Sequence, residues 1–197
     1  MDRILQRCGL GYNTYISKGL LKKPTDMSAE AAIEEVKRAV FGVINELLMK
    51  TGVQCENISI LVTVCGVFNI MPSLSSVIVR RYNLRHEHRT YNITGMECTA
   101  GLLALGLVQN LLKIHGNSYI LLVSTDSLTE NVYKGNDRSK LLSNCIFRVA
   151  GPPFSSPTNR QIRIPPSMSS SAPSVLKPRT MIVPTTIFSW KKTSKDI

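Results

Sequence analysis

The chain has 197 residues, a formal net charge of +11, 43% hydrophobic residues and 19% charged residues. That length holds one domain or one and a half, and that composition excludes wholesale disorder, a collagen repeat and a disulfide miniprotein. Residues 151–197 carry seven bases and one acid, so +6 of the charge sits in a short tail and +5 in residues 1–150. A charge excess placed in a tail predicts at most weak, sequence-independent, salt-sensitive nucleic-acid binding and no specific nucleic-acid partner. The five cysteines (Cys8, Cys55, Cys65, Cys98 and Cys145) are scattered and form no CxxC, which fits a reducing compartment rather than a disulfide framework or zinc module. The N-terminus shows no apolar leader, so no signal peptide is expected.

In chain order, residues 1–26 read as an arm with a short helix. From Ser28 onward, Ala29, Ala32, Ile33, Val36, Val40, Val43, Ile44 and Leu47 keep a 3–4 residue period, with Glu30, Glu34, Glu35, Lys37 and Arg38 filling the other face. The pattern predicts a surface helix capped by Ser28 or Asp26 and ended by Gly52. Ile58–Cys65 (ISILVTVC) is a continuous apolar, β-branched run, as in a strand covered on both faces. Asn57 to Val79 has no charge over 23 residues, but Pro72 and four serines break it into strand, loop and helix, so no transmembrane helix is expected. A helix follows over Ser73–Tyr82, then a basic turn and a short strand over Thr90–Ile93. Gly95 precedes a helix over Cys98–Ile114 that is apolar almost all round and is expected to be buried. Tyr119–Ser124 is a second buried strand, and Ile146–Val149 a further strand partner. Strands alternating with helices predict an α/β layered domain over residues 27–150 with a largely parallel sheet. Eight of the ten prolines and nine serines fall in residues 151–197, which are expected to be a disordered Pro/Ser-rich tail.

Cys98 is the residue best placed for chemistry. It follows a Gly-containing turn and opens a helix, where backbone N–H groups and the helix dipole favour a thiolate. The alternative is a buried structural cysteine, since cysteines in apolar helices are mostly that. His86, Glu87 and His88 form a basic turn with too few neighbouring ligands for a metal site. His115 reads as a helix C-terminal residue. Arg80, Arg81, Arg85 and Arg89 form a basic cluster, either a solvated face or a seat for a phosphate-bearing ligand such as coenzyme A. Asn57-Ile58-Ser59 and Asn92-Ile93-Thr94 match the glycosylation pattern but lie at predicted strands. Dinucleotide, P-loop and serine-hydrolase motifs are missing.

Three stretches read together carry a resemblance: LVTVCGVFNIMPSLSSVIVRRYNLR, TYNITGMECTAGLLALGLVQNLL and NSYILLVSTDSLTENVYKGNDRSKLLSNCIFRVAG. They closely resemble the plant 3-ketoacyl-CoA synthases, the condensing enzymes of very-long-chain fatty acid elongation, and the upstream ILQRCGLGYNTYI extends the match to roughly residues 1–150. The resemblance implies the N-terminal half of a thiolase-like fold, in which two similar halves pack together, usually as a homodimer. Cys98 in GMECTAG matches the family's nucleophilic cysteine in Gly-Met-Gly-Cys-Ser-Ala-Gly. The implied chemistry is a Claisen condensation in which Cys98 accepts the acyl group of a long-chain acyl-CoA and malonyl-CoA supplies the attacking carbanion. Both are substrates, and no further cofactor or metal is implied. The family's place is the cytosolic face of the endoplasmic reticulum membrane; the chain as it stands is expected in the cytosol. The chalcone-synthase-like branch of the same fold shares the cysteine but matches these motifs less well.

The chain departs from the family at four points. Glu97 replaces a glycine directly before the nucleophile, Thr99 replaces serine, Ile70 replaces proline, and no residue matches the family's catalytic His and Asn. After Val149 the family continues into an apolar strand, whereas Gly151-Pro152-Pro153 begins unrelated sequence here, as a shifted reading frame or mis-joined exon would produce. The expectation is an acyltransferase by family that is inactive in condensation alone. The rival expectation is a non-catalytic remnant that forms heterodimers with intact synthases.

Overall fold

The computed structural model describes residues 16–84, 87–115, 118–137 and 139–147, and the backbone of 179–184. The short helix predicted within residues 1–26 lies partly outside them; inside, Lys18–Leu21 makes one 3₁₀ turn. Ser28 is extended, and its hydroxyl accepts the Ala31 N–H at 3.2 Å, which caps helix α1, Ala29–Thr51. Asp26 steadies that cap by accepting from the Ser28 N–H and hydroxyl and from Lys22. Ala32, Val36, Val40, Val43, Ile44 and Leu47 are the buried stripe, and Gly52 ends the helix in the left-handed conformation.

Strand β1, Ile58–Cys65, has only Ser59 exposed. Ser73 caps helix α2, Leu74–Tyr82, which leads to edge strand β2, Arg89–Thr94. A 3₁₀ turn over Glu97–Thr99 enters helix α3, Ala100–Ile114, and strand β3 spans Tyr119–Thr125. With strand β4 over Arg179–Pro184, the sheet order is β2-β1-β3-β4, all parallel, so the β2-to-β3 crossover passes over β1.

Alternate residues of the central strands face different helices. Leu61, Cys65, Leu121 and Val123 pack under α1 and α2, while Ile60, Val62, Val64, Ile120 and Leu122 meet Ala100, Ala104, Val108, Leu111 and Leu112 of α3. The result is a three-layered α/β unit, as the continuous apolar strands require. Each fully buried Ile, Leu or Val in it contributes about 1.5–3 kcal/mol relative to exposure.

Three expectations are corrected. Helix α3 is not buried all round: Leu102, Leu103 and Ile114 are 74%, 50% and 72% exposed, because only one layer of sheet covers it. The segment Glu97–Ile114 is long and apolar enough to cross a membrane by length and composition, yet here one of its faces closes the sheet. Ile146 is not in a strand: it ends a short helix α4, Leu141–Ile146, and residues 148–149 lie outside the described ones. Arg179–Pro184, expected to be disordered with the rest of the tail, runs parallel to β3 as strand β4. Its sequence, Thr-Met-Ile-Val, is a β-branched apolar run that the surrounding Pro/Ser composition obscures.

Candidate active site

Parallel strands release their chain at one end of the sheet, and open α/β sheets place their sites there. The register sets Cys65 level with both Thr94 and Thr125. The next residues, Gly66, Gly95 and Asp126, therefore leave the sheet side by side.

Cys98 stands at this carboxyl end, exposed, in the 3₁₀ turn that feeds α3. The turn from β2 into that helix needs two left-handed residues in three: Gly95 at φ 73° and Glu97 at φ 47°. Glycine accepts that conformation without cost, whereas a Cβ meets its own carbonyl, at about 1–2 kcal/mol. The φ of Glu97 gives a steric reason for the glycine that the resembling sequences carry immediately before the cysteine. Thr99 closes the turn by donating its hydroxyl to the Met96 carbonyl at 2.6 Å.

The loop after β1 lies directly on this turn. Gly66 O accepts the Glu97 N–H at 3.2 Å. A Cβ at Gly66 would stand 2.7 Å from Glu97 O and 2.9 Å from Asp126 Oδ2, so the approach requires glycine. Asp126 holds the rest of the loop, accepting the Val67 N–H at 2.8 Å and the Phe68 N–H at 3.0 Å, besides the Ser127 N–H at 3.0 Å. Cys65 Sγ is 3.8 Å from the same carboxylate. Burial, with that carboxylate adding to it, pushes the Cys65 thiol up to about 12, so this second cysteine is a neutral packing residue.

Behind Asp126 stands Glu35. Its carboxylate accepts from the Ser127 hydroxyl and from the Leu128 and Thr129 N–H groups at 3.0, 3.2 and 3.1 Å. Sequence periodicity places Glu35 on the solvated face of α1; the structure corrects this, because the loop after β3 folds back onto that position. Asp126 and Glu35 both escape the sequence reading. The one signal for Asp126 is a carboxylate placed immediately after a buried apolar strand.

The other candidates do not converge on Cys98. Arg89 begins β2 at the amino end of the sheet and donates to His115 Nε2 at 2.8 Å. The Arg81 guanidinium lies 4.7 Å above the Phe41 ring, between α1 and α2. Arg89 and Thr94 are five residues apart along β2, about 17 Å at strand rise, so Arg89 stands far from the Cys98 turn itself. Arg85 and His86 lie outside the described residues. Asn92 of the second glycosylation pattern accepts the Thr63 hydroxyl at 2.6 Å within the sheet.

Close to Cys98 in the chain, Met96, Leu102 and Leu103 are about half exposed or more, as is Val67 of the loop that meets the turn, beside the exposed Glu97. An exposed thiol at a helix entry, on a turn held by the loop after β1, is chemically suited to accept an acyl group from a thioester.

The FAE1/Type III polyketide synthase-like family matches residues 1–161. The chain is 48% identical over 150 residues to 3-ketoacyl-CoA synthase 2 of Arabidopsis thaliana, covering 76% of this chain and 28% of that protein. It is 44% identical over 149 residues to 3-ketoacyl-CoA synthase 4 (76% and 29%) and 39% identical over 150 residues to 3-ketoacyl-CoA synthase 16 (76% and 30%), both also of Arabidopsis thaliana. The chain thus spans less than a third of the length of these relatives. On this match and on the layered α/β fold that bears it, the chain belongs to the FAE1/type III polyketide synthase-like family.

Proposed function

We propose that these 197 residues form the acyl-accepting part of a 3-ketoacyl-CoA synthase that condenses long-chain acyl-CoA with malonyl-CoA in very-long-chain fatty acid elongation. The observation that carries this reading is Cys98, exposed on the turn into α3 within GMECTAG. In the acylation half-reaction the Cys98 thiolate attacks the thioester carbonyl. A new carbon–sulfur bond forms, the bond to the coenzyme A sulfur breaks, and coenzyme A leaves as a thiolate that takes up a proton. Condensation needs further groups to polarise the malonyl thioester. No His or Asn in the match takes the family's place for them, so the 197 residues alone carry the reaction only to the acyl-cysteine. The family's setting on the cytosolic face of the endoplasmic reticulum membrane is the proposed location of the complete enzyme.

The test is release of free coenzyme A from a long-chain acyl-CoA by the chain, compared with Cys98→Ser. One equivalent released, abolished by the substitution and followed by no 3-ketoacyl product when malonyl-CoA is added, supports the reading. Release that survives Cys98→Ser refutes it.

A second reading is pairing with an intact synthase, and the exposure of Leu102 and Leu103 on the first turn of α3 favours it. Co-purification with a full-length relative and no acyl group on Cys98 would put this reading first.

A further inference from the structure

We propose that Asp126 is a positioning residue for Cys98, acting through the Gly66–Phe68 loop; the inference rests on the reading of Cys98 as acyl acceptor. Asp126 and Cys98 are separated in sequence by the whole of α3 and β3, yet hydrogen bonds through the Gly66–Phe68 backbone link Asp126 to Glu97, the residue before Cys98. Oδ2 accepts from Val67 N at 2.8 Å and Oδ1 from Phe68 N at 3.0 Å. Those two bonds fix the loop so that Gly66 O points at Glu97 N, 3.2 Å away. Glu97 is the left-handed residue at φ 47° whose conformation sets the direction in which Cys98 leaves the turn.

The geometry is pinned from both sides. Asp126 takes the Ser127 N–H itself, and Glu35 of α1 holds Ser127, Leu128 and Thr129. Three N–H groups collected by one carboxylate form a strong, directional arrangement, since charge-assisted bonds are about twice as strong as neutral ones. Gly66 is in contact at the other end: its Cα faces Glu97 O and Asp126 Oδ2 too closely for any Cβ. A strained turn is retained only where its surroundings over-determine it. At Glu97 the surroundings are this loop, and Asp126 is what holds the loop.

The consequence for Cys98 is chemical as well as geometric. Attack by Cys98 on an electrophile depends on how the turn presents its exposed sulfur. Without the Asp126 clamp the loop is free to withdraw, the Glu97 N–H loses its acceptor, and the turn relaxes away from that orientation.

The experiment is alkylation by iodoacetamide on the full 197-residue chain, with the rate at each cysteine read by peptide mass mapping across pH. Cys55 lies in the turn before β1, at the opposite end of the sheet from Asp126, and reports any general loosening. In Asp126→Ala the Cys98 rate at neutral pH falls about threefold or more, the scale of one lost hydrogen bond in the chain that holds the turn. The Cys55 rate is unchanged. Asp126→Asn, whose amide oxygen still accepts, recovers part of the rate. If Asp126→Ala does not fold, Asp126→Asn and Gly66→Ala carry the test, the latter by pushing on Glu97 O from the loop side. Superimposable Cys98 profiles in all variants overturn the proposal, as does a change shared equally by every cysteine. Acyl loading of the unaltered chain separates the two claims. Loading with an unresponsive profile refutes the role of Asp126 alone; a responsive profile without loading refutes the acyl-acceptor reading alone.

Discussion

Thr129 gives both its N–H and its hydroxyl to Glu35 Oε2, at 3.1 and 2.5 Å, across a separation of 94 residues. This joins the loop after β3 to the middle of α1, and so fixes the segment from which Asp126 projects. Removing the carboxylate leaves two N–H groups and two hydroxyls without their charged acceptor. Glu35→Ala is expected to lower stability by about 2–3 kcal/mol, the scale of hydrogen bonds to charged groups. Its neighbour Glu34 only pairs with Arg38 on the exposed face of α1, and Glu34→Ala should cost less than about 0.5 kcal/mol. Urea midpoints of the two variants measure the contrast, and equal losses would remove Glu35 from the scaffold of the site.

Glu97 occupies a conformation that suits glycine. Glu97→Gly relieves about 1–2 kcal/mol of steric cost and gives back about 0.5–1 kcal/mol through the freer unfolded chain. A net gain of about 0.5–1 kcal/mol is expected. Glu97→Val, β-branched at a positive φ, should be destabilising instead. Thermal unfolding of both variants checks the order Gly above Glu above Val.

The two cysteines nearest the site should behave oppositely towards alkylation. Cys98 is exposed and should react from neutral pH upward. Cys65 is buried, and its thiol is held at about 12 by that burial and then by the Asp126 charge, against 9.0 for a free thiol. The folded state therefore keeps a proton that the unfolded state releases. The associated stability is complete below 9.0 and is lost as pH rises from there through 12. Mass mapping after iodoacetamide should show Cys98 labelled and Cys65 unlabelled from neutral pH to 9.0. Labelling of Cys65 in the folded chain over that range would contradict its placement.

Helix α3 shows how far the sequence reaches. The limits of β1, α2 and β3 agree with the apolar runs to within a residue or so, because a two-sided strand must be apolar throughout. The apolar character of α3 reads as complete burial, yet burial depends on how many layers surround a helix, which a local window does not contain. Ile146 misleads for a related reason: a four-residue apolar run has no period that separates strand from helix. Of the candidate site, Cys98 is singled out in the sequence by GMECTAG and by its place at the start of an apolar helix. Asp126 and Glu35 are not, because a carboxylate looks solvated until the topology delivers N–H groups to it from other parts of the chain.

The one-sided burial of α3 has its own test. Leu102 is 74% exposed and Ala104 fully buried against the sheet. Leu102→Gln should change stability by less than about 0.5 kcal/mol, while Ala104→Leu should cost about 1–3 kcal/mol by overpacking. A large loss from Leu102→Gln in denaturant titrations would restore the fully buried helix.

The central claim is that Cys98 accepts an acyl chain, and the most direct measurement is peptide mapping of the chain after incubation with a long-chain acyl-CoA. The predicted result is a single hydroxylamine-labile thioester on the peptide containing Cys98, lost in Cys98→Ser. An unmodified Cys98, or an acyl group carried equally by Cys55, would contradict it.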